Sequence, residues 1–379
     1  MRAAFESKLD LLRSSPDAED IEVQKALSFL LESEDPEETA LLYEAAGRVR
    51  NDALGSRMAV RALIETSSYC RNDCLYCGLN RHNAKAERYR LAPEETVACA
   101  KNAYAHGIRT AVLQSGEDGA PAEETAETIR EIKKIGDIAV TLSLGERPRS
   151  DFELWRDAGA DRYLMRIETS DPDLYAAIHR TRKLQSRLDC LSALQELGYQ
   201  TGSGIMIGFP GQTIEHIARD ILFFARRNFE MIGIGPFIPH PDTPLAGTSR
   251  GKPALVLNAI ALVRLLMPTV WMPATTALGS LERDWRPDAI RAGANVLMPN
   301  FSPRETRARY AIYPGKRCIG EQASLVRSEC EEIARAGNLQ VDWSRADAPA
   351  SGRRSGLGKC TSGSYTLNSF LSEAWRTIR

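Results

Sequence analysis

Residues 58–77 read MAVRALIETSSYCRNDCLYC, an apolar run that leads straight into Cys70-Arg71-Asn72-Asp73-Cys74-Leu75-Tyr76-Cys77. The first nine residues have the β-branched, apolar character of a buried strand. Three cysteines spaced C-x3-C-x2-C at its end put three soft ligands on one loop. Eight cysteines in 379 residues are too few for a disulfide scaffold, so this trio reads as a metal site in a reducing compartment. Two readings stand on spacing alone. A tetrahedral zinc site needs a fourth ligand, for which His82 is the nearest imidazole. A [4Fe-4S] cube takes one cysteine on each of three irons and leaves the fourth open to an outside ligand.

Outward from this loop, short apolar runs recur at 110–115, 138–144, 162–168, 202–209, 231–237, 271–276 and 295–299. With 58–66 they make eight expected strands. Charged amphipathic stretches separate them, opening at Pro93, Ala122, Asp151, Leu188 and Thr213. Four of these five close on a glycine (Gly107, Gly136, Gly159, Gly198), where a helix C-cap places one. Eight βα units without a GxGxxG or GxxxxGK[ST] loop predict an α/β fold, a complete (βα)8 TIM-type barrel, rather than an open doubly wound sheet. Helical spacing over 21–31 and 36–50, with Asp35-Pro36 at the turn, predicts an N-terminal helical extension over 1–57 ahead of a barrel over 58–345. From 346 to 379 the chain turns to Ala, Ser, Gly and Arg, the composition of a flexible C-terminal tail, with a short amphipathic helix expected over 365–379.

Hydrophobic residues at 43% and charged residues at 26% exclude a disordered or fibrous chain. The 49 basic and 50 acidic side chains leave a net charge of -1, with no overall pull toward nucleic acid or membrane. No apolar run nears the ~20 residues that span a bilayer, and the first residues are too charged for a secretory segment, so a cytoplasmic protein is expected. In a βα barrel, ligands meet the C-terminal strand ends, and glycines, hydroxyls and charges gather there: Gln114-Ser115-Gly116-Glu117, Ser143, Glu168, Thr275-Thr276 and Met298. Glu168 has the alternative of an arginine-paired rim carboxylate, and Arg187 that of a solvated helix residue. His240 lies between prolines that fix an extended loop, where packing alone accounts for it. His106, His179 and His216 fall at surface or helix-end positions. Cys99 and Cys190 sit on amphipathic helix patterns and read as buried apolar residues.

The cysteine spacing, with aromatic Tyr76 before the last cysteine, resembles the radical S-adenosylmethionine enzymes. Within them, the segments 113–118, 141–146, 161–169, 208–213, 233–244, 273–279 and 298–300 resemble the HydE family of [FeFe]-hydrogenase maturases, in the branch that also holds biotin synthase and methylornithine synthase. The resemblance runs from about residue 36 to Cys318. It implies a [4Fe-4S] cluster on Cys70, Cys74 and Cys77, and S-adenosylmethionine held by Tyr76, Gly116, Glu117, Ser143, Glu168 and Arg187. It implies a small anionic iron–cysteine complex bearing carbonyl and cyanide, lined by Gln114, Ser115, Arg162, Met231, Thr275, Thr276 and Met298 and covered by Tyr310. A ferredoxin or flavodoxin electron donor and transient contact with other hydrogenase maturases follow from the same likeness. A synthase or mutase of that branch acting on an amino acid or organic precursor, and a non-enzymatic iron–sulfur scaffold, are the alternatives. Many family members carry a C-x7-C-x2-C motif after the barrel. Here Cys318, Cys330 and Cys360 break it, so no stable auxiliary cluster is expected.

Overall fold

A computed structural model describes residues 2–14, 21–317 and 323–349. The first apolar run divides at Arg61 into β1 (Arg57–Val60) and β2 (Ala62–Ser67). There follow β3 (Thr110–Ser115), β4 (Ala139–Ser143), β5 (Arg162–Leu164), β6 (Gln200–Ile207), β7 (Met231–Pro236), β8 (Val296–Leu297) and β9 (Gln340–Asp342). Strands β2 to β7 form one parallel sheet in chain order, as helical crossovers between neighbours require. A second parallel sheet has the order β8-β1-β9. Single parallel bridges, Met231 to Trp271, Pro273 to Val296 and Leu63 to Asn300, run between the two sheets. The run expected at 271–276 is reduced to such bridges, in part because Pro273 has no N–H to donate. The strand expected over 162–168 ends at Leu164, and Glu168 leaves the β region altogether at φ 63°.

Side chains along the strands alternate between two environments. Val60, Ala62 and Ile64 join the main core beneath the helices, while Ala59, Arg61, Leu63 and Glu65 occupy the intervening positions and are buried on the other side. The five expected helices appear as Pro93–Ala105, Ala122–Lys133, Arg149–Asp157, Leu184–Glu196 and Ile214–Arg227. Gly107, Gly136, Gly159 and Gly198 all take positive φ just after them, as their placement predicts. At the N-terminus, helices Ile21–Leu31 and Pro36–Leu54 meet at Asp35, whose carboxylate caps the second by accepting from the N–H groups of Glu37 (2.9 Å) and Glu38 (3.1 Å). Both pack on helix Pro253–Leu266, which the sequence pattern missed. That helix is buried at every position from Val256 to Leu266, so it has no polar face to create a period.

Residues 346–349, expected to open the flexible tail, instead close the foot of the sheet structure. Arg345 pairs with Asp137 (3.0 Å) and Asp161 (2.8 Å), Ala346 is buried beside Ala59, Met231, Trp271 and Val296, and the Ala348 N–H donates to Gln200 (3.0 Å). The rest of the tail, with Cys360 and the helix expected over 365–379, lies outside the described residues, as does Cys318. Among the described residues no helix is long and apolar enough to cross a membrane.

Candidate active site

The cysteine loop follows β2 at the C-terminal end of the sheet and is held from every side by backbone bonds. The Arg71 N–H donates to the Glu117 carbonyl (3.0 Å), Leu75 to Ile178 (3.0 Å) and Gly78 to Ile312 (3.0 Å). The Arg88 guanidinium bonds the carbonyls of Ser68 (2.6 Å), Leu79 (2.9 Å) and Asn80 (2.8 Å), which ties the loop's two ends together. Gly116 lies so close that a Cβ there would stand 2.2 Å from the Tyr69 carbonyl oxygen and 2.9 Å from the Cys70 Cβ. Gly78 has the same constraint, 2.1 Å from the Ala311 oxygen and 2.5 Å from His240. His240 is thereby a packing partner of the loop.

Burial raises the Cys70 and Cys74 thiols and pushes Cys77 up to about 12, with neighbouring sulfurs adding to the rise at Cys74 and Cys77. Three mutually close thiolates in such a setting need a cationic centre, the donor set that an iron–sulfur core satisfies. The zinc reading fares worse. His82 is exposed, and its Nε2 accepts from Arg81 Nε (3.1 Å) rather than turning toward the cysteines. Among the described residues no three metal-binding side chains converge on a single ion.

Beside the loop stands a buried square of charge. Arg187 donates from Nη2 to Glu117 (2.7 Å) and from Nε to Glu146 (3.1 Å), and Arg182 bonds Glu117 and lies 3.4 Å from Glu146. Burial by itself would raise the Glu117 carboxyl, but Arg187 and then Arg182 bring it below the usual carboxylate range. Arg187 is therefore a buried structural cation, not a solvated helix residue. Glu168 takes its arginine-paired alternative: Arg166 grips both its oxygens, at 2.9 and 2.8 Å, and also bonds the Ile205 carbonyl (2.6 Å). Its positive φ is backbone strain of a kind that gathers at functional sites. Ser143 ends β4, next to Gln114 in register. Tyr76 bonds His179 through its hydroxyl (3.1 Å). His179, expected at a surface or helix-end position, ends helix Pro172–Ile178 and is buried there, and burial lowers it to about 4.

A cover segment, 302–317, closes over the strand ends. Tyr310 is buried and accepts from Gln114 Nε2 (3.3 Å). Lys316 Nζ holds the Tyr310 carbonyl (3.0 Å) and Glu65 (2.6 Å), whose other oxygen accepts from Asn300 (2.9 Å). Ser115 donates to the Gly116 carbonyl (2.5 Å), and Thr276 opens a short helix to Gly279.

Two residues expected to line the substrate stand deeper than the others. Arg162 and Met231 are the first residues of β5 and β7, and so lie at the foot, opposite the cysteine loop. Arg162 is fully buried on Thr110 (3.1 Å), the Arg345 carbonyl (2.7 Å) and Asp347 (2.6 Å). Met231 packs with Ala59, Trp271 and Val296, and Met298 packs against that same cluster. Between foot and mouth the inner positions carry polar atoms with no protein partner: Arg61 Nε and Nη2, Thr141 Oγ1, Trp271 Nε1 and Thr275 Oγ1. Arg61 was missed. Its third nitrogen, Nη1, reaches only the Met231 sulfur (3.0 Å), and burial, with Arg162 adding, drives it well below the ordinary guanidinium range. A lone arginine inside an apolar strand was the available signal.

A three-cysteine loop at the C-terminal end of a parallel βα sheet, above a polar interior, defines the class of the radical S-adenosylmethionine enzymes. The Radical SAM superfamily model matches residues 64–224. The chain is 48% identical over 282 residues to the [FeFe] hydrogenase maturase subunit HydE of Thermotoga maritima, spanning 74% of this chain and 81% of that one. It is 29% identical over 290 residues to 3-methylornithine synthase of Methanosarcina acetivorans, spanning 75% and 82%. The solved structure of methylornithine synthase (PylB) superimposes with a TM-score of 0.73 at 26% identity, over 84% of this chain and 94% of that one. The maturase HydG shares the fold alone, with a TM-score of 0.74 at 17% identity over 90% and 77%. The chain belongs to the HydE family of radical SAM proteins.

Proposed function

We propose that the chain cleaves S-adenosylmethionine reductively and directs the resulting radical at a small anionic iron–cysteine complex during assembly of the [FeFe]-hydrogenase active site, in the cytoplasm. The observation that carries this reading is the pairing of the cysteine loop with an interior of unpartnered donors, Arg61 above all. When bound, a [4Fe-4S] cluster on Cys70, Cys74 and Cys77 supplies the electron and an open iron for the sulfonium ligand. The protein's own part is binding and shielding. Gly116 lets the backbone approach, Tyr76 and Ser143 line the ligand, and the Arg166–Glu168 and Arg187–Glu117 pairs offer both signs of charge to a zwitterion without a free buried charge. Gln114, Ser115, Thr275 and Thr276 present hydrogen-bonding groups nearer the mouth, Arg61 with Thr141 binds the anion deeper, and Tyr310 covers the chamber from water. Arg162 and Met231, on this reading, support its floor.

The bridging pairs 231–271, 273–296 and 63–300 support one closed eight-stranded barrel over 58–345, with 1–57 a helical lead-in and 346–379 an appendage. The broken C-x7-C-x2-C spacing supports a single cluster. Other maturases would be met transiently. Anaerobic reconstitution and reduction with S-adenosylmethionine should yield 5'-deoxyadenosine, and folded Cys74→Ala should yield none. A wild-type chain that holds its cluster yet releases no deoxyadenosine would overturn the reading. Product analysis with a cysteine-bound iron carbonyl complex against ornithine-type precursors separates the maturase from a synthase.

A further inference from the structure

The outer surface of the cysteine loop carries a charge pattern that the interior does not explain. The whole chain has a net charge of -1, yet residues 69–90 hold Arg71, Arg81, Lys85, Arg88 and Arg90 against Asp73 and Glu87. Arg71, Arg81, Lys85 and Arg90 are exposed, and so are Arg180 and Lys183 in the adjoining loop. The two loops form one face. Thr181 donates to Asp73 (3.0 Å), the Leu75 N–H to the Ile178 carbonyl (3.0 Å) and the Arg81 N–H to the Asn72 carbonyl (2.8 Å). Arg81 and Arg90 have carboxylate partners, but these sit beneath them. The side chains of Asp73 and Asp118 are 3% and 7% exposed, those of Arg81 and Arg90 46% and 43%. A partner arriving from solvent therefore meets the guanidinium groups first.

On the same face stands Tyr69, 46% exposed and immediately before Cys70, with the Arg90 guanidinium 5.5 Å from its ring centre. An exposed tyrosine rimmed by arginines has the anatomy of an interface anchor. Its backbone is fixed by the close approach of Gly116 to its carbonyl.

We infer that Tyr69, Arg71, Arg81, Arg90, Arg180 and Lys183 form the docking face for an acidic protein that delivers single electrons to the cysteine loop. The inference rests on the proposed reading that Cys70, Cys74 and Cys77 hold a redox cluster. The step balances simply: the reduced carrier loses one electron, the cluster gains it, and no atom is exchanged. Positive charge on this face steers a negative carrier to the point of shortest transfer and fades with salt.

The test uses the reconstituted protein and a flavodoxin of strongly negative net charge. Stopped-flow reduction by flavodoxin hydroquinone gives the rate, and calorimetric titration with oxidised flavodoxin gives binding. Arg81→Glu/Arg180→Glu should lower the second-order rate constant at least tenfold at low ionic strength and weaken binding in parallel, with the difference shrinking in 0.5 M salt, where the Debye length is a few ångströms. Reduction by dithionite, which needs no protein interface, should be unchanged. Lys134→Glu, at the C-terminal end of helix Ala122–Lys133 and so toward the foot, should match wild type in both assays. Equal rates and affinities for the double variant and wild type would overturn the docking face, as would an equal loss in Lys134→Glu. So would a self-association of the chain that Tyr69→Ser abolishes, which would give the face to a second copy. A chain that dithionite cannot reduce at all would instead sink the cluster reading beneath it.

Discussion

Replacing Lys316 by methionine removes the one cation that holds Glu65. The pair is 2.6 Å apart with side chains 3% and 2% exposed, so neither charge is screened by water. Breaking a buried pair from one side costs about 3–5 kcal/mol, because the remaining charge is stranded. Asn300 still donates to Glu65 at 2.9 Å, which places the expected loss near the lower bound, about 3 kcal/mol. Burial already raises the Glu65 carboxyl, with Lys316 the foremost opposing influence. Without Lys316 the folded state should bind a proton that the unfolded state releases, so stability falls as pH rises, and the deficit should be larger at pH 8 than at pH 5. Urea unfolding at both pH values measures this. Limited proteolysis should show faster cutting within 302–317, because Lys316 also holds the Tyr310 carbonyl. Lys316→Met/Glu65→Gln should recover part of the loss. A destabilisation below about 1 kcal/mol, the scale of a surface ion pair, with unchanged proteolysis and no pH dependence, would refute the reasoning.

Gly116→Ala should fold with a loss of about 1–3 kcal/mol from overpacking, and should take up less iron and sulfide on reconstitution, because its methyl group displaces Tyr69 and Cys70. Full iron occupancy would contradict the tight approach. Arg61→Met should stabilise the ligand-free protein, since it replaces a buried charge that has no carboxylate partner. It should also abolish the rise in melting temperature that a small anion such as azide produces in wild type; a retained rise would move the anion elsewhere. Asp220 is buried on Ser170 and Thr169, and burial raises it to about 7. Its contribution is fully present below the unfolded carboxyl range and lost as pH rises through about 7, so Asp220→Asn should flatten the stability profile between pH 5 and 8. An unchanged slope would show that Asp220 does not titrate there.

The cysteine loop was legible because ligand spacing on a single loop is a local property, as were the glycine caps and the Asp35 cap. The depth of Arg162 and Met231 in the sheet was legible in principle. Arg162 and Met231 open their strands, and in a parallel sheet the first residue of a strand lies at the end away from the ligand, so chain direction alone would have placed them. Other features had no local signal. Glu117 meets Arg187 across 70 residues of chain, and nothing near either names the other. Helix Pro253–Leu266 gave no period because it has no wet side.

The distribution of buried charge bears on where the two proposed ligands would sit. Near the cysteine loop the carboxylates and guanidinium groups balance: Glu117 and Glu146 face Arg182 and Arg187, and Glu168 faces Arg166. A zwitterion fits there because it brings no net charge and exchanges one set of paired contacts for another. Deeper in, Arg61 has no carboxylate in contact, and the Thr141 hydroxyl on β4 and the Trp271 indole N–H stand unpartnered around the interior. Folding would disfavour such an arrangement unless a ligand repays it. On the proposed reading, the rim suits a neutral pair of charges and the interior suits net negative charge. Exchanging the two ligands between these places would leave a buried charge unmatched in each.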